Sequence, residues 1–147
     1  MLFISFLFNL LFIPTLFLVF FIDPYKNLIR HNRYVYIEKI QYNLEIADTL
    51  YKRSLGLMFK NNMPKKEQGM WFLFNKDCKP SFYSVNVYFD VIIFWIDKKN
   101  IIRGYDTMKK NSLKTVSPRT KIKSAIELPK EYVKKKPSYY IGTKLKY

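Results

Sequence analysis

Apolar and polar residues alternate at Ile40, Tyr42, Leu44 and Ile46, the period-two pattern of a half-buried strand. With VYIEK just upstream, the stretch from Tyr34 to Ala47 predicts one or two strands. Asp48 and Thr49 come next, and either can accept a hydrogen bond from a first-turn N–H, so a helix starts there. Leu50, Tyr51, Ser54 and Leu55 fall at helical spacings, and Gly56 offers the left-handed conformation that ends many helices. The helix is therefore about two turns long. Met63-Pro64 opens a polar stretch, and Gly69 leads into Met70–Phe74, too short for a helix and rich in aromatics, which predicts a strand.

Further along, residues 75–80 (NKDCKP) predict a turn, and Ser81–Val87 alternates loosely. Val91–Ile96 is a continuous apolar run, VIIFWI, as expected of a central strand buried on both faces. Asp97–Asn100 predicts a hairpin turn with Ile101–Tyr105 returning, and residues 106–120 a long loop. KIKSAIEL at 121–128 alternates as a further strand. Pro129 suits the first position of a helix through Val133, and TKLKY closes the chain as a short edge strand whose lysines discourage pairing with other chains. These elements predict a mainly β (α+β) domain, a compact sandwich or partly open barrel of about 6–8 strands with two short helices.

The first 22 residues change the picture, because they contain no charged side chain. At about 1.5 Å per residue they span roughly 33 Å, enough for a bilayer core. No basic residue precedes the run and FFIDPYK lacks a small-residue cleavage site, so an uncleaved transmembrane anchor is expected rather than a signal peptide. The expected organisation is an anchor at 1–22, a juxtamembrane linker at 23–33 and a β-rich domain at 34–147. Lys26, Arg30 and Arg33 just after the span favour a cytoplasmic domain by the positive-inside rule.

Charge and residue counts narrow the chemistry. Of 26 Lys/Arg and 11 Asp/Glu, only Lys26, Arg30, Arg33 and Asp23 precede Tyr34, which leaves the domain at +13. Such a balance suits an anionic surface. Lysine outnumbers arginine 21 to 5, however, and no nucleic-acid-binding motif is present, so nucleic acid is disfavoured as a partner. Cys78 and His31 are the only residues of their kinds, with His31 placed in the linker. A histidine-containing metal site, a catalytic triad or a Cys–His pair would need that linker residue, so no metal site and no such catalytic residues are expected. Nor is a cofactor expected, since four glycines leave little room for a phosphate or dinucleotide fingerprint.

The motifs together resemble the domain-of-unknown-function family 192. Ile46-Ala47-Asp48-Thr49, Arg53, Gly56-Leu57-Met58, Pro64, Gly69-Met70, Phe72 and Phe74 match its first blocks. Ser81-Phe82, Asn86, Ile93, Ile96-Asp97 and Glu127-Leu128-Pro129 match the later ones. The resemblance covers about residues 35–147 and implies a compact β-rich domain, often behind an N-terminal export or anchor segment, on the extracytoplasmic side; it implies no activity. The chain departs from the pattern at Ser84-Val85-Asn86-Val87, where the family shows M-K-N-T. It departs again at Ile92, which replaces a family Asp, while Asp90 stands two places earlier.

Three functions follow as expectations. The first is a membrane-anchored, non-catalytic envelope or accessory domain that binds a small ligand or a protein partner, with Arg53, Tyr83, Asn86 and Ser117 as candidate ligand-binding residues. The second is a carboxylate-based enzyme drawing on Asp48, Glu67, Asp90, Asp97 or Glu127, although Asp97 and Glu127 read more simply as strand-end caps. The third is a basic domain binding anionic lipid or nucleic acid through its lysines. The Asp48, Gly56 and Met70–Phe74 positions read mostly as scaffold, which moves the search for a site to the altered Ser84–Ile92 stretch.

Overall fold

Six strands form one mixed sheet in a computed structural model that describes residues 29–60, 62 and 64–147. They are β1 (Asn32–Ile37), β2 (Ile40–Ala47), β3 (Gln68–Cys78), β4 (Val91–Ile96), β5 (Ile102–Met108) and β6 (Ile122–Pro129). A single α-helix, α1 (Leu50–Leu55), lies between β2 and β3, and two 3-10 turns, Lys130–Tyr132 and Pro137–Tyr140, follow β6. The strand order is β1-β2-β3-β6-β4-β5. Only β2 and β3 run parallel, because the α1 crossover returns the chain to the same end of the sheet.

The sheet is buried on both faces. On one face Val35, Leu44, Ile92, Phe94, Ile126 and Leu128 pack together, closed over by Tyr140 and Leu145. On the other, Ala47, Phe72, Ile93, Trp95 and Ala125 are covered by Leu57 and Met58 after α1, and by Phe82 and Val87. The continuous apolar run of β4 is thus explained: all six of its residues are buried, between β6 and β5.

Local chemistry sets the β2–α1–β3 unit. Of the two expected caps, Thr49 is the N-cap, its hydroxyl accepting from Lys52 N at 3.1 Å. Gly56 ends the helix at φ 52° and ψ −134°. This is a positive-φ conformation that suits glycine, though not the left-handed helical one expected, and it starts a turn in which Met58 N donates to Leu55 O at 3.0 Å. Gly69 lets β3 approach β6, since a Cβ there would overlap the carbonyl oxygen of Glu127.

Several expectations change. The mainly β fold and the six strands agree with expectation, but they form one open sheet where a sandwich or partly open barrel was expected. The sheet's outer strands β1 and β5 are linked by the C-terminal segment, through isolated bridges from Tyr36 to Lys146 and, just before β5, from Ile101 to Lys144, so TKLKY forms bridges rather than an edge strand. Among the described residues there is one α-helix, and in place of the second one expected from Pro129 to Val133, Pro129 ends β6 and a short 3-10 turn follows it. Asn75–Cys78 extends β3 past a register shift instead of turning. Ser81–Val87 contributes one bridge, Phe82 to Val116, and otherwise turns. The sheet also begins earlier than Tyr34, at Asn32, with the His31 carbonyl accepting from Ile46 N. The expected anchor at 1–22 lies outside the described residues. Among the described residues no helix is long and apolar enough to cross a membrane.

Candidate functional site

The cross-strand register puts Glu127 in the middle of the sheet, opposite Met70 of β3 and Ile93 of β4. Strand alternation turns its side chain to the same face as Ala125, where α1 and the turn after it cover the sheet. It is only 5% exposed, and among the described residues nothing donates a hydrogen bond to its carboxyl. With no charge partner to offset burial, its pKa is pushed up to about 8, so the group holds its proton at neutral pH. This overturns the reading of Glu127 as a strand-end cap.

The carboxyl faces a cavity of about 250 Å³. Leu50, Arg53 and Ser54 of α1 form one wall, and Leu57 and Met58 continue it. Phe72 and Phe74 line it from β3, and Phe82 and Tyr83 from the segment before β4. The rings of Phe72 and Phe82 meet edge to face at 4.9 Å. Glu127 is the one acidic residue among those lining it. Burial also raises the Tyr83 hydroxyl above its ordinary pKa.

Arg53 is held firmly at this cavity. Its Nη1 donates to the carbonyls of Asp48 at 2.8 Å and Leu73 at 2.9 Å, and its guanidinium lies 5.6 Å from the Phe74 ring centre. Burial lowers its pKa, and the nearby Asp48 charge partly offsets that effect. The Asp48 carboxylate itself pairs with Lys52 at 3.3 Å. Arg53 is therefore a half-buried cation whose hydrogen bonds go to backbone carbonyls, with no carboxylate paired to it among the described residues.

The four expected ligand-binding residues are only partly brought together. Arg53 and Tyr83 line this cavity. Asn86 is buried next to it at φ 58°, in structural work: its N–H donates to Asn111 Oδ1 at 3.1 Å and its carbonyl accepts from Phe59 N at 3.0 Å. Buried Ser84 makes a second tie, its hydroxyl donating to Lys109 O and accepting from Ser112 N. The altered Ser84–Asn86 stretch thus fastens the chain before β4 to the 109–112 loop. Ser117 lines a different cavity of about 630 Å³, with Arg103, Asp106 and Arg119. Phe82 of the first cavity and Trp95 of the second stand 5.5 Å apart, ring to ring, between the two spaces.

The other carboxylates have local partners. Asp90 accepts from Lys109 Nζ and Lys110 N, which hold its pKa down. Burial works against ionisation of Asp97, but hydrogen bonds from Ile101 N, Arg103 and Lys99 N outweigh it and leave the pKa lowered, as suits a cap of the β4–β5 hairpin. Among the described residues no three His, Cys, Asp or Glu side chains cluster closely enough to hold a metal.

Sequence reasoning named Glu127 but misjudged it. The alternation of 121–128 suggested one wet face, yet β6 lies between β3 and β4 with both faces covered. A carboxylate in a strand with apolar neighbours on both sides was the available signal.

The fold and cavity define a class: a mainly β domain built on one mixed sheet, with a buried carboxyl on the floor of an apolar pocket. The chain belongs to the domain-of-unknown-function family 192 (DUF192), described as an uncharacterised ACR, whose sequence profile matches residues 34–144. No curated protein matches the chain. Among solved structures it is similar to a protein from Sinorhizobium meliloti described as a candidate transcription regulator, with 21% identity and a TM-score of 0.64 over 80% of this chain and 92% of that one. It is similar also to a protein of unknown function from Novosphingobium aromaticivorans, with 17% identity and a TM-score of 0.64 over 80% and 85% of the two chains. At these identities the likeness shows the fold alone.

Proposed function

We propose that this domain binds a small, largely apolar organic ligand in the cavity beneath α1. The observation that carries the reading is the Glu127 carboxyl, buried with no partner among the described residues and on the lining of that cavity. A polar group in such a place costs stability unless something pairs with it. Concave, mostly apolar sites with a few placed polar groups are the usual form of small-molecule sites. A cavity of about 150 Å³ accepts benzene, so 250 Å³ leaves room for a ring with a substituent. Ser54→Trp should fill the space from the helix side. The expected result is saturable binding of benzyl-type fragments, seen by nitrogen–proton NMR of the full chain in nanodiscs, and its loss in Ser54→Trp with the urea midpoint little changed. Fragments that shift no resonance near Phe72, Phe82 or Glu127 would count against the reading.

A second reading has one observation behind it. A carboxyl with a pKa near 8 in a cavity is poised to donate a proton, as a general acid does. Hydrolysis by paired carboxylates would need a second one, and Glu127 has none beside it among the residues lining the cavity. Binding is therefore the better supported of the two.

Residues 1–22 are proposed to hold the domain at a membrane as a single span, with the domain on the extracytoplasmic side as the family resemblance implies. The alternative is a cytoplasmic domain retained by Lys26, Arg30 and Arg33. Protease protection in sealed vesicles of known orientation separates the two placements. Recovery of the full chain in a soluble fraction without detergent would remove both.

A further inference from the structure

We propose that the cavity beneath α1 selects an organic anion, a ring-bearing carboxylic acid whose acid group lies against Arg53 while Glu127 donates a hydrogen bond from the floor. This rests on the small-ligand reading and adds the charge class of the ligand. Three observations support it.

The first is Arg53. Among the described residues its two hydrogen bonds are both made by Nη1, to Asp48 O and Leu73 O. That fixes the guanidinium and leaves Nε and Nη2 with no acceptor among the described residues. The carboxylate of Asp48 is taken up by Lys52, and His31 lies 3.8 Å from its other oxygen. A half-buried guanidinium held by neutral carbonyls is pre-organised for a carboxylate, which it can meet with two parallel hydrogen bonds.

The second is Glu127. Arg53 and Tyr83 are the other ionisable side chains lining the cavity, and neither reaches its carboxyl. The apolar surroundings keep Glu127 protonated, so the floor presents an O–H donor rather than a negative charge. An ammonium ligand would meet one fixed cation and no anion, whereas an acid meets a cation and a donor. The third is the field of the whole chain, +15 in formal charge, which draws anions toward the surface.

The test compares three ring compounds of nearly equal size on the full chain in nanodiscs: benzoate, benzamide and benzylamine. Benzoate should bind roughly tenfold more tightly than benzamide, as expected for a charge-assisted hydrogen bond, and benzylamine most weakly. The benzoate preference should fall as pH rises through about 8, when Glu127 ionises. Arg53→Met should erase the preference while benzamide still binds. Arg53 also ties α1 to β3, so the ranking on the unmodified chain decides the matter even where this variant does not fold. Benzamide or benzylamine binding as tightly as benzoate overturns the anion proposal and leaves the ligand pocket standing. If none of the three binds, and apolar fragments do not bind either, both fall.

Discussion

Glu127 shows how one residue can carry a measurable signature of its surroundings. Its ordinary pKa of 4.5 rises to about 8 in the fold. Between those values the unfolded chain has lost the proton and the folded chain keeps it, so stability is full below pH 4.5 and declines as pH rises toward 8. The decline should amount to a few kcal/mol. Glu127→Gln keeps the shape and removes the titration, so it should flatten the profile and be the more stable chain at pH 8. Urea midpoints measured from pH 5 to 8 check this, and parallel slopes for the two chains would contradict it. At this scale the sequence was readable where a residue answers to local rules. Thr49 as a cap and Asn100 in the β4–β5 turn, at φ 61°, are of that kind. Ser84 and Asn86 answer to distant partners, which no pattern within ten residues of them reveals, and Glu127 left only the trace of apolar neighbours on both sides.

Among the elements, α1 matters out of proportion to its length, because four of its six residues, Leu50, Arg53, Ser54 and Leu55, line the cavity. A helix this short has little stability of its own and depends on its cap and its packing. Thr49→Ala removes the hydroxyl that accepts from Lys52 N, and should cost about 1 kcal/mol. The loss should be local: amide exchange should speed up across Leu50–Leu55 more than in β4. Uniform acceleration through the sheet would show instead that α1 unfolds only with the whole domain. The elements that were legible are those with a strong internal period or run, β2, β4 and the start of β3. β6 was legible as a strand but not as a central one, because a period of two fixes alternation and leaves open what covers the second face. The Ser81–Val87 stretch alternated loosely, as a strand would. Instead it turns, held by Ser84 and Asn86, and its register with any other strand was never encoded locally.

For the whole molecule, the feature that no local pattern announces is how the sheet ends. Sequence order says nothing of β6 entering between β3 and β4, or of the last residues lying across both outer strands. Residues 142–147 do that work. Lys146 exchanges backbone hydrogen bonds with Tyr36 of β1, Thr143 accepts from Ile102 of β5, and Leu145 is buried against the core while its N–H donates to Asn100 O. Tyr147 adds an edge contact with Trp71 at 5.2 Å and accepts from the Asn100 side chain. Without this segment the face around Val35, Ile102 and Tyr140 would open, and two strand edges would be left to pair with other chains. Deleting 142–147 should therefore cost about 3 kcal/mol or more, the scale of losing one large buried side chain, and should cause association that grows with concentration. Leu145→Ala alone should lower stability and leave the association state unchanged, since the backbone bridges stay. Urea titration with sedimentation velocity separates the two effects. A truncated chain that keeps both its midpoint and the association state of the full chain would mean that β1 and β5 protect their own edges and that the C-terminal segment only decorates them.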